Sequence, residues 1–169
     1  MTSEMPMGIE RARRSFFLED EMAGLETAFV RDGWRGAVLY RGSYGWHAMP
    51  RLVWDAVCAA SGDSRWWICG YGEVGKPEPA PVSFSFDWDA FPALPNHPAR
   101  ESSEWVAYNE SQTIAVLAEF DVTIIGATYR CADHIDAILR ESNTSLRGLT
   151  RDEFPEPGRL ERFLTAVTR

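Results

Sequence analysis

Three short apolar segments in the middle of the chain, separated by only a few residues, constrain the fold most. They cover residues 105–109, 113–118 and 122–125. Side chains alternate between the two faces of a strand, so Ile114, Val116 and Ala118 share one face of the second segment. The first two segments are close enough to form a hairpin, and short links between successive strands favour antiparallel pairing. This stretch therefore predicts an antiparallel sheet.

Helical patterns lie before and after these strands. The spacing of Leu18, Met22, Leu25 and Phe29 predicts a first helix from Ile9 to Arg31. Further helices are predicted after Pro50 up to Gly62, at 132–141 and at 159–167, and further strands at 37–40, 65–69 and 82–86. This order predicts an α+β fold, a mainly antiparallel sheet with helices packed on one face, in a single domain that spans residues 1–169.

The negative charge is concentrated in one part of the chain. The net charge is −8, and residues 73–136 contain eleven carboxylates against Lys76, Arg100 and Arg130. We expect these carboxylates to gather on one exposed face. Such a face disfavours direct binding of nucleic acid, whose phosphates require lysine and arginine, and it speeds the encounter with a basic partner. An acidic surface that only keeps the protein in solution is the alternative.

Composition argues against a membrane protein and against a disulfide scaffold. No apolar run reaches the roughly 18–20 residues of a membrane span, and charges in the first 14 residues disfavour a secretory signal. Three cysteines, Cys58, Cys69 and Cys131, are an odd number without scaffold spacing, and they indicate reduced thiols. We therefore expect a cytoplasmic protein that does not contact membranes. The oligomeric state stays open.

Two motifs suggest a dinucleotide or a metal ion, but the residues around each motif argue against such a site. Residues 70–75 match G-x-G-x-x-G, but a dinucleotide site needs a helix at the third glycine, and the proline-rich segment 76–81 follows instead. Cys131 and His134 have metal-ligand spacing, yet a structural zinc site needs a second pair of ligands. The sequence therefore predicts no cofactor and no metal.

Catalysis has no local signature. Ser43 does not stand in a G-x-S-x-G elbow. The alternative function that we keep is a small hydrolase or transferase whose site assembles in space from His47, His97, His134 or Glu119. A structure that places two of these groups within hydrogen-bond reach in one pocket would favour it. Otherwise we expect that the chain is not an enzyme.

Two of the seven tryptophans stand in polar loops. Trp46 follows Tyr44-Gly45, and Trp88 lies between Asp87 and Asp89, whereas most of the other tryptophans are expected in the core, because tryptophan supplies a large apolar area. An aromatic side chain between acids is typical of the centre of a protein interface. The residues that we expect to bind a partner are Trp46, Asp87, Trp88, Asp89, Glu101, Glu104, Glu119 and Asp121.

The strand and helix pattern from residue 104 onwards resembles one family. Segments 104–110, 114–118 and 123–126, followed by the helix at 132–139, are similar to bacterial polymorphic-toxin immunity proteins. These are small acidic α+β antitoxins that bind and block a toxin encoded beside them. The resemblance implies a cytoplasmic inhibitor without catalysis of its own, whose partner is a cognate toxin or another basic protein. No functional residue of that family can be assigned to a position in this sequence.

Overall fold

A six-stranded antiparallel sheet organises the chain in the computed structural model, which describes residues 5–19, 28–41, 44–100, 104–120 and 122–153. The strands are β1 (Phe17–Glu19), β2 (Ala28–Val30), β3 (Trp34–Tyr40), β4 (Trp66–Gly70), β5 (Val82–Phe84), β6 (Trp105–Asn109), β7 (Ile114–Ala118) and β8 (Val122–Thr128). Strands β3 to β8 form the sheet in the order β3-β8-β7-β6-β4-β5, and β1 pairs with β2 in a separate ribbon.

Four α-helices surround the sheet in the described part of the chain. They are α1 (Ile9–Phe16), α2 (Arg51–Ser61), α3 (Tyr129–Arg140) and α4 (Leu146–Glu153), and 3₁₀ turns lie at Gly45–His47, Phe91–Ala93 and Pro98–Arg100. The α+β class and the antiparallel sheet predicted from the sequence are confirmed. None of these helices combines the length and the apolarity needed to cross a bilayer.

The three central segments become adjacent strands, as their alternation predicts. Asn109 closes the β6–β7 hairpin, because its side-chain carbonyl accepts the N–H groups of Thr113 and Ile114 at 2.9 and 2.8 Å. Its amide nitrogen donates to Asp63 at 2.7 Å. Asn109 is fully buried, and these bonds satisfy it. The Asn109 side chain therefore fixes the β6–β7 register through its carbonyl oxygen and links the turn to Asp63 through its amide nitrogen.

One face of the sheet carries the larger core. Helices α2 and α3 pack there, and Trp54, Trp66 and Trp105 are completely buried between them and the strands. Helix α4 covers the edge of β3, where the Val38 N–H donates to the Thr150 hydroxyl at 2.9 Å. The helix thus satisfies an edge-strand donor that would otherwise be open to another chain.

The opposite face is covered by α1 and the β1–β2 ribbon, which corrects one prediction. The helix predicted from Ile9 to Arg31 ends at Phe16, and Phe17–Glu19 pairs as a strand with Ala28–Val30. Tertiary packing overrides the helical spacing, because Val30 lies against paired glycines of the main sheet. A Cβ at Gly126 would lie 2.7 Å from Val30 Cγ1, so a side chain at that position would push the ribbon away.

The other helices differ less from their predictions. Helix α2 follows Pro50 and ends at Gly62, whose φ of 68° is the left-handed conformation that glycine favours at a helix end. Helix α3 starts at Tyr129, three residues before the predicted start. Helix α4 was not predicted from the sequence. The helix predicted at 159–167 lies outside the described residues.

Candidate functional site

Two loops that are distant in sequence bring Trp46 and Trp88 to the same region of the surface. The His47 ring stacks on Trp88 with ring centroids 3.6 Å apart and planes 12° apart. His47 Nε2 also lies 2.7 Å from the Trp88 carbonyl oxygen. Trp46 is 40% exposed, and Trp88 is half-buried. The two tryptophans that the sequence placed in polar loops are therefore both accessible and close together.

A rigid aromatic core supports these two loops. Trp88 meets Trp54 edge-on at 5.7 Å, and Trp54 stacks on Phe86 at 3.8 Å. Phe91 packs against Trp54 at 4.7 Å. Aromatic contacts of this kind add stability beyond the area that they bury. These contacts hold Trp88 in place before any partner arrives, and Trp46 packs on the buried His97 ring with centroids 5.0 Å apart.

Charged groups lie around Trp88. Asp87 and Asp89 are exposed, and Asp87 Oδ1 accepts the Ala90 N–H at 2.8 Å, which fixes the turn that carries Trp88. The Arg51 guanidinium lies 5.9 Å from the Trp88 ring and 3.6 Å from the Asp55 carboxylate. We call Trp46, His47, Arg51, Asp55, Asp87, Trp88 and Asp89 the Trp46–Trp88 surface. It contains three carboxylates against one guanidinium.

Arg51 and Asp55 were not among the binding residues predicted from the sequence. Their i,i+4 spacing on a helix was visible, but an isolated pair of this type is usual on any solvated helix. Only the packing of α2 against the turn at 87–90 brings the pair to the rim of the tryptophans. No pattern along the chain indicates that packing.

Glu119 does not belong to a partner-binding surface. Its side chain is buried, with 5% of the residue exposed, and its Oε1 accepts a hydrogen bond from Arg13 Nη2 at 2.7 Å. Glu104 is half-buried beside it, with Oε2 3.7 Å from Arg13 Nη1. Arg41 donates to the Glu119 backbone carbonyl at 2.7 Å, and burial lowers its pKa. These groups form a structural cluster at one end of the sheet.

The expectation of one continuous negative face is also wrong. Nine of the eleven carboxylates of 73–136 are described, and five of these are in ion pairs: Glu73, Glu104, Glu110, Glu119 and Asp133. Four of the five pair with arginines from the first 65 residues, which are Arg13, Arg35 and Arg65. Glu78 and Asp136 accept backbone N–H groups at 2.7 Å. The charge excess is thus largely compensated locally.

Two predicted binding residues cannot be placed. Glu101 and Asp121 lie outside the described residues. Phe120, which precedes Asp121 in the link between β7 and β8, is largely exposed. Of the predicted set, Trp46, Asp87, Trp88 and Asp89 are brought together, whereas Glu104 and Glu119 are part of the Arg13 cluster.

The histidines do not form a catalytic arrangement with Glu119. His47 and His97 both contact Phe91, with centroid distances of 5.8 and 4.5 Å. Their hydrogen bonds go to the backbone, since His47 contacts the Trp88 carbonyl and His97 Nδ1 accepts the Ala99 N–H at 3.0 Å. His134 is exposed on α3. Nothing in this geometry brings two of the candidate groups to one reacting atom.

Protonation of His97 should destabilise the fold. The ring is 1% exposed, and burial, together with Arg100, Arg41 and His47, lowers its pKa to about 4. A lowered pKa means that the unfolded chain takes up a proton first, so stability falls as the pH drops from about 6.5 towards 4. We expect His97 to account for a loss of about 2–3 kcal/mol between pH 7 and pH 4.5.

Urea denaturation at these two pH values measures this loss. The matched variant is His97→Asn, whose side-chain oxygen can accept the Ala99 N–H but cannot titrate. Its stability should fall less than that of the wild type by the amount given above, because the remaining groups titrate in both proteins. Equal losses in the two proteins would show that His97 is not held neutral by the fold.

The other candidate motifs carry no site in the described residues. The segment that matches G-x-G-x-x-G is the end of β4 followed by an extended loop. Cys69 and Cys131 are buried, and burial raises the pKa of Cys69 to about 12, so its thiol is a poor nucleophile. No group of three or more potential metal ligands converges within the described ranges.

Comparisons with known proteins add no relative. No family model, no curated protein and no solved structure matches the chain.

Proposed function

We propose that the chain is a protein-binding inhibitor of the immunity-protein type, which binds and neutralises a basic toxin domain in the bacterial cytoplasm through the Trp46–Trp88 surface. One observation carries this proposal: Trp88, packed on the aromatic core and flanked by the exposed Asp87 and Asp89, lies beside the loop that presents the 40% exposed Trp46. Tryptophan is among the residues most enriched at the energetic centre of protein interfaces. The pattern of strands and helices that resembles immunity proteins is consistent with this reading.

Rigidity makes the surface suitable for tight binding. Ordering mobile side chains during association costs about 0.5–1.5 kcal/mol for each flexible side chain. Stacking on His47 and the Asp87 cap already order Trp88, so little of this cost remains. The interface therefore gains most of the contact energy that its aromatic area provides.

The carboxylates around the tryptophans determine the kind of partner. Asp55, Asp87 and Asp89 outnumber the single guanidinium of Arg51, and the whole chain adds a net charge of −8. A negative rim accelerates association with a positively charged surface and repels acidic proteins. A toxin with a basic cleft for nucleic acid would be complementary to it.

Co-expression tests the proposal. The gene next to this one should encode a protein that arrests growth when it is expressed alone, and the present chain should restore growth and co-purify with it. Trp46→Ala should restore growth less well, because it removes a 40% exposed anchor; the buried part of this ring contacts His97 at 5.0 Å. Val74→Ala provides the control, since Val74 is fully exposed in the 71–81 loop.

Two outcomes would contradict the proposal. One is a tightly bound natural partner whose contact surface is acidic. The other is full protection against a toxic neighbour by Trp46→Ala and by charge reversal at Asp89.

A further inference from the structure

A pocket lies at the β3 edge of the sheet, away from the Trp46–Trp88 surface. It has a volume of about 320 Å³ and is formed where β3, the end of α3 and the start of α4 meet. Its lining residues are Arg35, Gly36, Asp136, Arg140, Ser145, Leu146 and Arg147. The pocket shares no residue with the Trp46–Trp88 surface, and the inference drawn from it does not depend on the proposed function.

The charge of the pocket is opposite to that of the whole chain. Three separate elements contribute one arginine each: Arg35 from β3, Arg140 from α3 and Arg147 from α4. The lining contains a single carboxylate, that of Asp136. In the described part of the chain, neither Arg140 nor Arg147 is in an ion pair, whereas Arg35 pairs with Asp133 outside the lining. Among the described residues, the exposed guanidinium groups of Arg140 and Arg147 therefore have no carboxylate partner.

Two further hydrogen-bond donors belong to residues that line the pocket, Arg35 and Gly36. Arg35 Nε is buried and has no acceptor, although another nitrogen of the same guanidinium binds Asp133. Val38 N–H points away from β8, towards α4, and backbone groups alternate along a strand, so the Gly36 N–H faces the same edge. Arg35 Nε therefore has room for one acceptor, which a water molecule or a ligand oxygen can supply.

The carboxylate of Asp136 stabilises the start of α4. Asp136 Oδ1 accepts the Leu146 N–H at 2.7 Å, and Ser145 Oγ accepts the Gly148 N–H at 3.0 Å. These bonds hold the first turn of α4 against α3, which places Arg147 opposite Arg140. Asp136 therefore fixes the pocket wall through a bond to the backbone and leaves the arginines to the ligand.

We propose that this pocket binds the phosphate group of a small phosphomonoester or free phosphate. A phosphate dianion presents three acceptor oxygens, which match several guanidinium groups better than a carboxylate does. The volume is at the lower end of the range for small-molecule sites, which suits a ligand with one phosphate and a small organic part. Arg140 and Arg147 bind the charge, and Arg35 Nε and the Gly36 N–H fix the orientation.

Calorimetric titration of the full chain tests the proposal. The probes are inorganic phosphate, ribose 5-phosphate and adenosine monophosphate, with acetate at equal ionic strength as the control anion. We expect saturable binding of at least one phosphate compound and none of acetate. Equal affinity for free phosphate and the esters identifies a free-anion site, and tighter binding of an ester identifies a phosphomonoester site.

Charge variants test whether the arginines of the pocket, and not the overall charge of the protein, determine phosphate binding. Arg140→Gln combined with Arg147→Gln should weaken phosphate binding at least tenfold, while Asp136 still holds α4 in place. Arg151→Gln is the control for Arg147→Gln within this pair, because it removes one positive charge from the same helix outside the pocket lining. Absence of saturable binding of every phosphate probe, or equal weakening by Arg151→Gln, would overturn the proposal.

Discussion

Replacement of Arg13 by alanine is expected to lower the free energy of unfolding by about 3–5 kcal/mol. Arg13 is 1% exposed, and its guanidinium compensates the buried Glu119 carboxylate at 2.7 Å. Removing the arginine leaves a negative charge in a site that excludes water. The loss of one partner from a buried ion pair costs far more than the pair contributes relative to apolar residues.

Arg14→Ala is the control for this prediction. Arg14 lies next to Arg13 on α1, but its side chain is 82% exposed and forms only a surface pair with Glu10 at 3.9 Å. Its loss should change stability by less than about 0.5 kcal/mol. Urea denaturation compares the two variants. Adding Glu119→Gln to Arg13→Ala should recover part of the loss, and equal stability of both single variants would show that Glu119 does not need Arg13.

The second large effect is expected at the proposed interface. Trp46→Ala should weaken binding of the partner about 30-fold or more, because truncating an aromatic anchor at an interface centre costs at least about 2 kcal/mol. Asp89→Arg should mainly slow association, since a charge at the rim changes the encounter rate more than the lifetime. Neither side chain is buried in the core, so both variants should fold.

Controls outside the surface separate these effects from general ones. Val74→Ala removes an apolar side chain that is fully exposed outside the surface, and Glu141→Arg makes the same charge reversal after α3. Surface plasmon resonance gives both rate constants for all four variants. If Glu141→Arg slows association as much as Asp89→Arg does, the net charge acts and the Trp46–Trp88 surface has no special role.

The central part of the sheet, β6 to β8, was predictable because these strands follow one another with short links, whereas the pairings β3–β8 and β4–β6 join distant segments. Alternation in 114–118 and the short link from Asn109 require no knowledge of distant residues. The ribbon before β3 was not predictable in this way. The helical spacing around Leu18 is real, but Val30 packs against Gly36 and Gly126, and the latter lies 96 positions further along the chain. A one-dimensional pattern contains no information on that contact.

The acidic residues show the same limit. A run of carboxylates along a chain is not a surface, because folding can place each one beside an arginine from elsewhere. Arg13 and Glu119 are 106 residues apart and form the most buried ion pair in the part of the chain that the structure describes. Trp46 and Trp88 were identifiable because their immediate neighbours are polar or turn residues. Local context was a better guide to exposure than the charge of a whole segment.

Hydroxyl-radical footprinting of the complex with the natural partner tests the central claim most directly. In the free protein, Trp46 and Trp88 should both be oxidised, with Trp46 the more reactive because more of it is exposed. In the complex, both should be protected, whereas Phe120 and Tyr129, two exposed aromatic residues outside this surface, should keep their reactivity. Unchanged oxidation of Trp46 and Trp88 in a stable complex would contradict the proposed binding surface.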